Sequence, residues 1–420
     1  MLTSACGATT PSTGPSAPVA ATPTASTATP SAAVSTATSS GSADAGATAI
    51  YDTVEQQVIA IRGLKPTHLV QRQFIDEAEL RTMLTQQFDQ DTPPAYVAAN
   101  ERLYKALGLI PSTSSLRDLS LDLLSSGVAG FYRNDQGKLY VVSKSGGPGP
   151  NERFYFAHEY THALQDQNST IFKDFDKVLD QGDRLLARQA IYEGDATLLM
   201  TQWAVANLQQ GDLAEIIAAS NDPNAQAVIA RTPPILTDTL TFPYTTGLGY
   251  VQTVQTAGGW PAVDAYFKKM PVSTEQVLHP EKYAAGEAPV PVALPADLAT
   301  RLGTGWTVPL QDTFGEFQLG IWLREGGVEQ TAATTAAAGW GGDRLAVMEG
   351  PDDAWAVAIH TEWDTEADAK EFETAATTAS AKAGGVAQVL PGAGSKTRWV
   401  LVASDAATAG HAATALGLAG

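Results

Sequence analysis

The chain has 420 residues, 44% of them hydrophobic and only 17% charged, enough to bury a large core in two domains or in one with appendages. Its formal net charge of −19 argues against nucleic acid and anionic membrane surfaces as partners, since both need clustered Lys and Arg. One cysteine, Cys6, excludes an intramolecular disulfide, and no apolar run reaches the roughly 18–20 residues that span a bilayer.

Met1-Leu2-Thr3-Ser4-Ala5-Cys6 reads as the end of a bacterial lipoprotein signal, with Cys6 as the lipid-anchored residue of an extracellular or cell-envelope protein. Thr3 stands where an aliphatic residue is usual, and the other reading is an ordinary cysteine near a disordered terminus. From Gly7 to Thr48 the chain is almost pure Ala, Thr, Ser, Pro and Gly, too poor in large apolar groups to order itself, and suits a tether. Residues 1–48 are therefore set apart from a folded unit at 49–300 and a further one at 301–420.

Ile50, Val54, Val58 and Ile61 recur at helical spacing before Gly63 and Pro66. Further helices are expected at Asp76–Phe88, Ala95–Leu107 and Leu116–Ser125. Phe131–Tyr132 and Leu139–Val142 read as a hairpin about Asn134-Asp135-Gln136-Gly137. The Gly/Pro loop 146–150 continues neither element, and the next helix runs from Glu152 to about Gln167. A second long helix spans Asp183 to about Gln209, followed by a mixed region and a Pro-rich stretch, Glu287–Pro295. Beyond it, helices at Phe314–Arg324, Asp364–Lys382 and Asp405–Leu416 alternate with strands at Arg344–Met348, Trp355–His360, Val386–Leu390 and Thr397–Val402. Trp340, Trp355, Trp363 and Trp399 read as core of this module. The fold class is α+β: a mostly helical domain with a small hairpin sheet, then a small α+β module. The stretch from Ile50 to about Ser126 is also open to reading as a pro-region.

His158-Glu159-Tyr160-Thr161-His162 places two imidazoles four residues apart, on one face of a helix and close enough to grip one ion. Zinc takes such ligands tetrahedrally and, in a catalytic site, leaves one position for water. Glu159, on the adjoining face, is placed to take a proton from that water and return it to a leaving amine. A third ligand is sought in Glu193-Gly194-Asp195, a carboxylate pair among apolar residues that is expensive to bury unless it binds something. Glu193 and Asp195 lie about 200° apart around a helix, so they cannot both face one ion. Glu193 is the expected ligand; Asp195 is left to orient a ligand or to cap backbone. For a developing oxyanion, His279 and then Tyr283 are the candidate donors, in a polar stretch that otherwise reads as a surface loop.

HEYTHALQD resembles the HExxHAxxD segment of the thermolysin-like gluzincins. Their third ligand is a glutamate on a following helix. More closely, the chain resembles a group of secreted bacterial zincin-like proteins carrying HE-x-THALQDQ, EGDA and STEQ-x-LHPEKY, the last standing here at Ser273–Tyr283. The likeness covers about residues 70–300. It implies a zincin-like domain and a peptide substrate, with His158, His162 and Glu193 as zinc ligands and Glu159 as general base. It also implies an edge strand within Phe131–Val142 for the substrate to pair with. The His-to-Glu spacing departs from thermolysin, and Thr197 stands where the usual aspartate would follow Glu193. The competing expectation is a cell-envelope binding or scaffold protein in which zinc is structural and a fourth protein ligand, Asp195 or His279, closes the site.

Overall fold

The computed structural model describes residues 41–126, 130–142, 148–172 and 180–418. Cys6, the tether up to residue 40 and part of the Gly/Pro loop at 146–150 lie outside the described residues. The architecture is α+β, with helices around a three-stranded and a five-stranded sheet. No helix among the described residues is long and apolar enough to cross a membrane.

Helix α1, Gly41–Arg62, begins before the expected Ile50, so residues 41–48 of the expected tether are helical. Alanines recur through this stretch, and alanine is the strongest helix former, so it extends the amphipathic segment backwards. Gly63, at φ 79°, ends it. Strand β1 (Gln71–Ile75) was not anticipated from sequence, because only its last residue is buried and no alternation marks it. Asp76 and Glu79 form a capping box that starts α2, Glu77–Asp91. Helices α3 (Pro94–Ala106) and α4 (Leu116–Ser125) follow, then β2 (Gly130–Arg133) and β3 (Lys138–Val142). β3 is central, parallel to β1 and antiparallel to β2, which leaves β2 at one edge.

Helix α5, Pro150–Asn168, packs on this sheet and on α1, burying Phe156, Tyr160 and Leu164 against Tyr51, Val54 and Val58. Helix α6, Gly182–Asn207, lies against α5 and is buried along most of its length. After α7 (Gln210–Ser220), α8 (Pro223–Arg231) and α9 (Pro234–Phe242) comes a π-helical turn, Pro243–Gly247, leading into α10, Leu248–Tyr266. This turn crosses α6 backbone to backbone. A Cβ on Gly194 would lie 2.4 Å from the Gly247 carbonyl oxygen, and one on Gly247 would lie 2.2 Å from that of Ala190. Glycine in mid-helix is accepted here because nothing larger fits the crossing.

In the C-terminal part, β4 (Thr307–Asp312), β5 (Trp340–Glu349), β6 (Trp355–Trp363), β7 (Val386–Pro391) and β8 (Thr397–Ala403) form an antiparallel sheet in the order β4-β5-β6-β8-β7. One face carries the helices Gly315–Glu325 and Glu366–Ala379, the latter begun by a Thr365/Asp368 capping box. Trp340, Trp363 and Trp399 are core residues of this part. Its core is shared with the N-terminal part, since Ala99, Leu103, Leu107 and Ile235 pack with Leu310, Trp322 and Val347.

The segment Ser273–Tyr283 lies at the junction of the two parts. Asp183, in the first turn of α6, accepts from the backbone and hydroxyl of Thr274. Lys282 Nζ reaches carboxylates of Glu275, Glu287 and Asp364 at 2.6, 2.8 and 2.6 Å. That acidic trio already holds a cation, the lysine's own ammonium.

Candidate metal centre

His158 and His162 both stand on the buried face of α5, one turn apart, and Glu193 reaches them from α6. Their Nε2 atoms are 2.9 Å apart, and Glu193 Oε2 lies 3.1 Å from the first and 3.2 Å from the second. Bonds of about 2.05 Å at tetrahedral angles would separate two ligand atoms by roughly 3.3 Å. The triangle is thus a face of a tetrahedron to within a few tenths of an ångström. All three side chains are buried, and together they form a group able to hold a metal ion.

Electrostatics agree with that reading. Burial, then the neighbouring His162, pushes His158 down to about 4, so it is a neutral imidazole. Burial also works against a charge on His162, but Glu193 outweighs it and raises this ring to about 9. Burial likewise opposes ionisation of Glu193, and the two histidines override it, holding the carboxyl well below its ordinary range. The pocket therefore pairs an ionised carboxylate with a positive charge on the His162 ring.

The second ring nitrogen of His162 is oriented by Gln165, one helical turn on. Gln165 Nε2 donates to the Tyr192 carbonyl at 2.9 Å and to Asp195 Oδ2 at 2.8 Å. Both are acceptors, so the amide oxygen must face the other way, where it lies 2.8 Å from His162 Nδ1. An acceptor at that distance holds a proton on Nδ1, so Nε2, which faces the ligand triangle, is the nitrogen that would give up its proton to a metal.

Glu159 is also buried, and its Oε2 accepts the backbone N–H of Tyr132 in β2 at 2.9 Å. The Tyr132 hydroxyl donates to Asp166 Oδ2 at 2.7 Å, so edge strand and helix are joined at two points. On the other side, Tyr244 of the π turn brings its ring to 6.1 Å from that of His158. A cavity of about 210 Å³ lies beside Glu193, lined by Tyr192, Leu236, Leu240, Pro243 and Tyr244 among others, and Glu193 is its one charged wall residue among the described residues.

The remaining expected site residues are engaged elsewhere. His279 Nε2 pairs with Glu316 Oε1 at 2.8 Å, and that hydrogen bond raises the ring's pKa. The Tyr283 hydroxyl donates to the Lys269 carbonyl at 2.7 Å. Among the described residues, neither hydrogen-bonds to Glu159 or to the ligand triangle. Both belong to the junction segment, where His279 ties the two parts together through Glu316 and Tyr283 ties the segment to the end of the preceding helical region. Asp195 faces away from the triangle, toward Gln165 and Arg62. Sequence reasoning missed Gln165, Tyr132, Arg62 and Tyr244. Gln165 was within reach, because it follows His162 by three residues on the same helical face. The other three come from distant segments and carry no local signal.

Residues 302–415 match a family described as a domain of unknown function, DUF8575. No curated protein matches the chain. Among solved structures, a "putative hydrolase with a novel fold" from Chloroflexus aurantiacus is 19% identical, covering 57% of this chain and 88% of its own, with a TM-score of 0.40.

Proposed function

We propose that the chain is a zinc-dependent peptidase, with His158, His162 and Glu193 as ligands and Glu159 as general base. The observation that carries this reading is the buried His–His–carboxylate triangle at tetrahedral spacing, with a second buried carboxylate one residue from its first ligand. Two imidazoles and one carboxylate suit zinc in a catalytic rather than a structural arrangement. A zinc ion bound there would supply a Lewis acid for a carbonyl group and lower the pKa of a water molecule.

The chain's own residues supply the rest. The Tyr132 amide holds the Glu159 carboxylate in one orientation, so that it can take a proton from water and pass it to the departing amine. β2, at the sheet edge beside that carboxylate, offers an extended backbone for a peptide to lie along. The two residues best placed by sequence to close the site as a fourth ligand are occupied, Asp195 by Arg62 and Gln165, His279 by Glu316. This supports an open site over a structural one. Cys6 as lipid anchor and an extracellular or cell-envelope location are part of the same proposal.

The test is elemental analysis of wild type and Glu193→Ala at neutral pH, followed by digestion of a mixed peptide library. One zinc per wild-type chain, weakened in the variant, with chelator-sensitive cleavage, is expected. Wild type that stays zinc-free after metal-replete purification overturns the reading.

A further inference from the structure

We propose that Arg62, at the end of the N-terminal helix α1, is a positioning residue for the metal. Acting through Asp195 and Gln165, it fixes the tautomer in which His162 presents its Nε2 lone pair. This rests on the metal reading above.

The contacts form one continuous chain. Arg62 Nε donates to Asp195 Oδ1 at 2.8 Å and its Nη2 to Oδ2 at 3.2 Å. Nη2 also donates to Asp264 at 2.6 Å, and the guanidinium lies over the Trp260 ring at 4.6 Å. Neither the Arg62 nor the Asp195 side chain has any solvent exposure. Three helices thus meet at one guanidinium: α1 supplies it, α6 supplies Asp195, and α10 Asp264 and Trp260; α5 joins the chain through Gln165 on Asp195.

Held by the fork, Asp195 presents Oδ2 to the Gln165 amide nitrogen. That contact decides which end of the amide faces His162. With it, the amide oxygen accepts from Nδ1–H. With the amide turned over, its NH₂ would face Nδ1 and favour the tautomer protonated on Nε2, placing an N–H where the metal must bind. A planar fork fixes a carboxylate in a way that a lysine's single point charge does not. A buried ion pair is weak evidence for a stabilising role, since its replacement by apolar residues of similar volume is often neutral or stabilising. It follows that α1 belongs to the working site, and that a chain lacking residues up to 62 would lose metal affinity.

Two variants separate this role from a structural one. Gln165→Leu leaves the Arg62–Asp195 pair intact and removes the link to His162. R62M/D195L removes the two fully buried charges together, so the one carboxylate left without its arginine is Asp264, whose side chain is 39% exposed. Zinc affinity is measured by competition with a chromogenic chelator, alongside near-UV circular dichroism and the visible spectrum of the cobalt-substituted proteins. Loss of an outer partner of this kind weakens metal binding by about 10–100-fold. That loss, with an altered cobalt spectrum and a retained fold, is expected in both. If the double variant fails to fold, Gln165→Leu decides alone. Unchanged zinc affinity and cobalt spectrum in a folded Gln165→Leu overturn the proposal while leaving the metal site standing. A wild type that binds no zinc overturns the metal reading itself.

Discussion

Gly194→Ala, beside the proposed ligand Glu193, should destabilise the protein although alanine is the better helix former. The added Cβ would sit 2.4 Å from the Gly247 carbonyl oxygen and 2.5 Å from its carbon. Opening the first contact merely to 3.0 Å requires α6 and the π turn to separate by at least 0.6 Å (3.0 − 2.4). Both sides of the contact are backbone, so no side chain can swing aside. Overpacking of this kind costs about 1–3 kcal/mol, and a backbone clash belongs at the upper end. Against it stands a gain of about 1 kcal/mol in helix propensity. The net expectation is a loss of roughly 2 kcal/mol. Gly249 is the control: it too is helical, with nothing within 4 Å of a Cβ, so Gly249→Ala should be neutral or stabilising. Urea denaturation of both metal-free variants, followed by tryptophan fluorescence, gives the difference. Chelator competition on the same samples should show weaker zinc binding only for Gly194→Ala, because the adjacent ligand moves with the helix. Two variants of equal stability, or a stabilised Gly194→Ala, would refute the account of the crossing.

Three other predictions are open to direct measurement. Glu159→Gln should keep the metal content of wild type and lose about 10²–10⁴-fold in peptide hydrolysis, by elemental analysis and a fluorogenic peptide. Lys282→Met leaves Glu275, Glu287 and Asp364 facing one another, so its urea midpoint should fall and should recover in part with added salt. Burial pushes Asp343 up to about 6 against the donors Phe314 N–H, Gly315 N–H and Trp340 Nε1–H. Its folded pKa lies above the unfolded one, so its protonated form favours the fold. That contribution is full below about pH 4 and is lost as pH rises through about 6. The stability of wild type relative to Asp343→Asn should therefore be greater at pH 4 than at pH 7, by at most about 3 kcal/mol; a flat difference would contradict it.

What could be read in advance followed from how local the information was. The α+β class and most helices were legible because their apolar spacing and caps lie within a dozen residues, as with Thr365 and Asp368. His158 and His162 were legible because one helical turn brings them together, and Glu193 because a carboxylate in an apolar helix needs a reason to be there. β1 was not, since it is mostly exposed and exists only through pairing with β3. His279 and Tyr283 show the opposite hazard. A polar, motif-like stretch drew a catalytic reading, while His279 and Lys282 reach across the junction to Glu316 and Asp364 and Tyr283 bonds the Lys269 carbonyl. Nothing near Arg62 in sequence announces Asp195 or Asp264.

The span of the Arg62 contacts bears on how the protein is made. One guanidinium joins residues 133 and 202 positions away in the chain. Loop-closure entropy must be overcome before such contacts yield any return, so they form late. During synthesis, His158 and His162 share a helical turn long before Asp264 has left the ribosome. Early in biosynthesis the chain thus presents a two-histidine half-site with an unsettled tautomer. The finished geometry belongs only to a chain folded through α10, so under the proposed function a metal would be acquired after release.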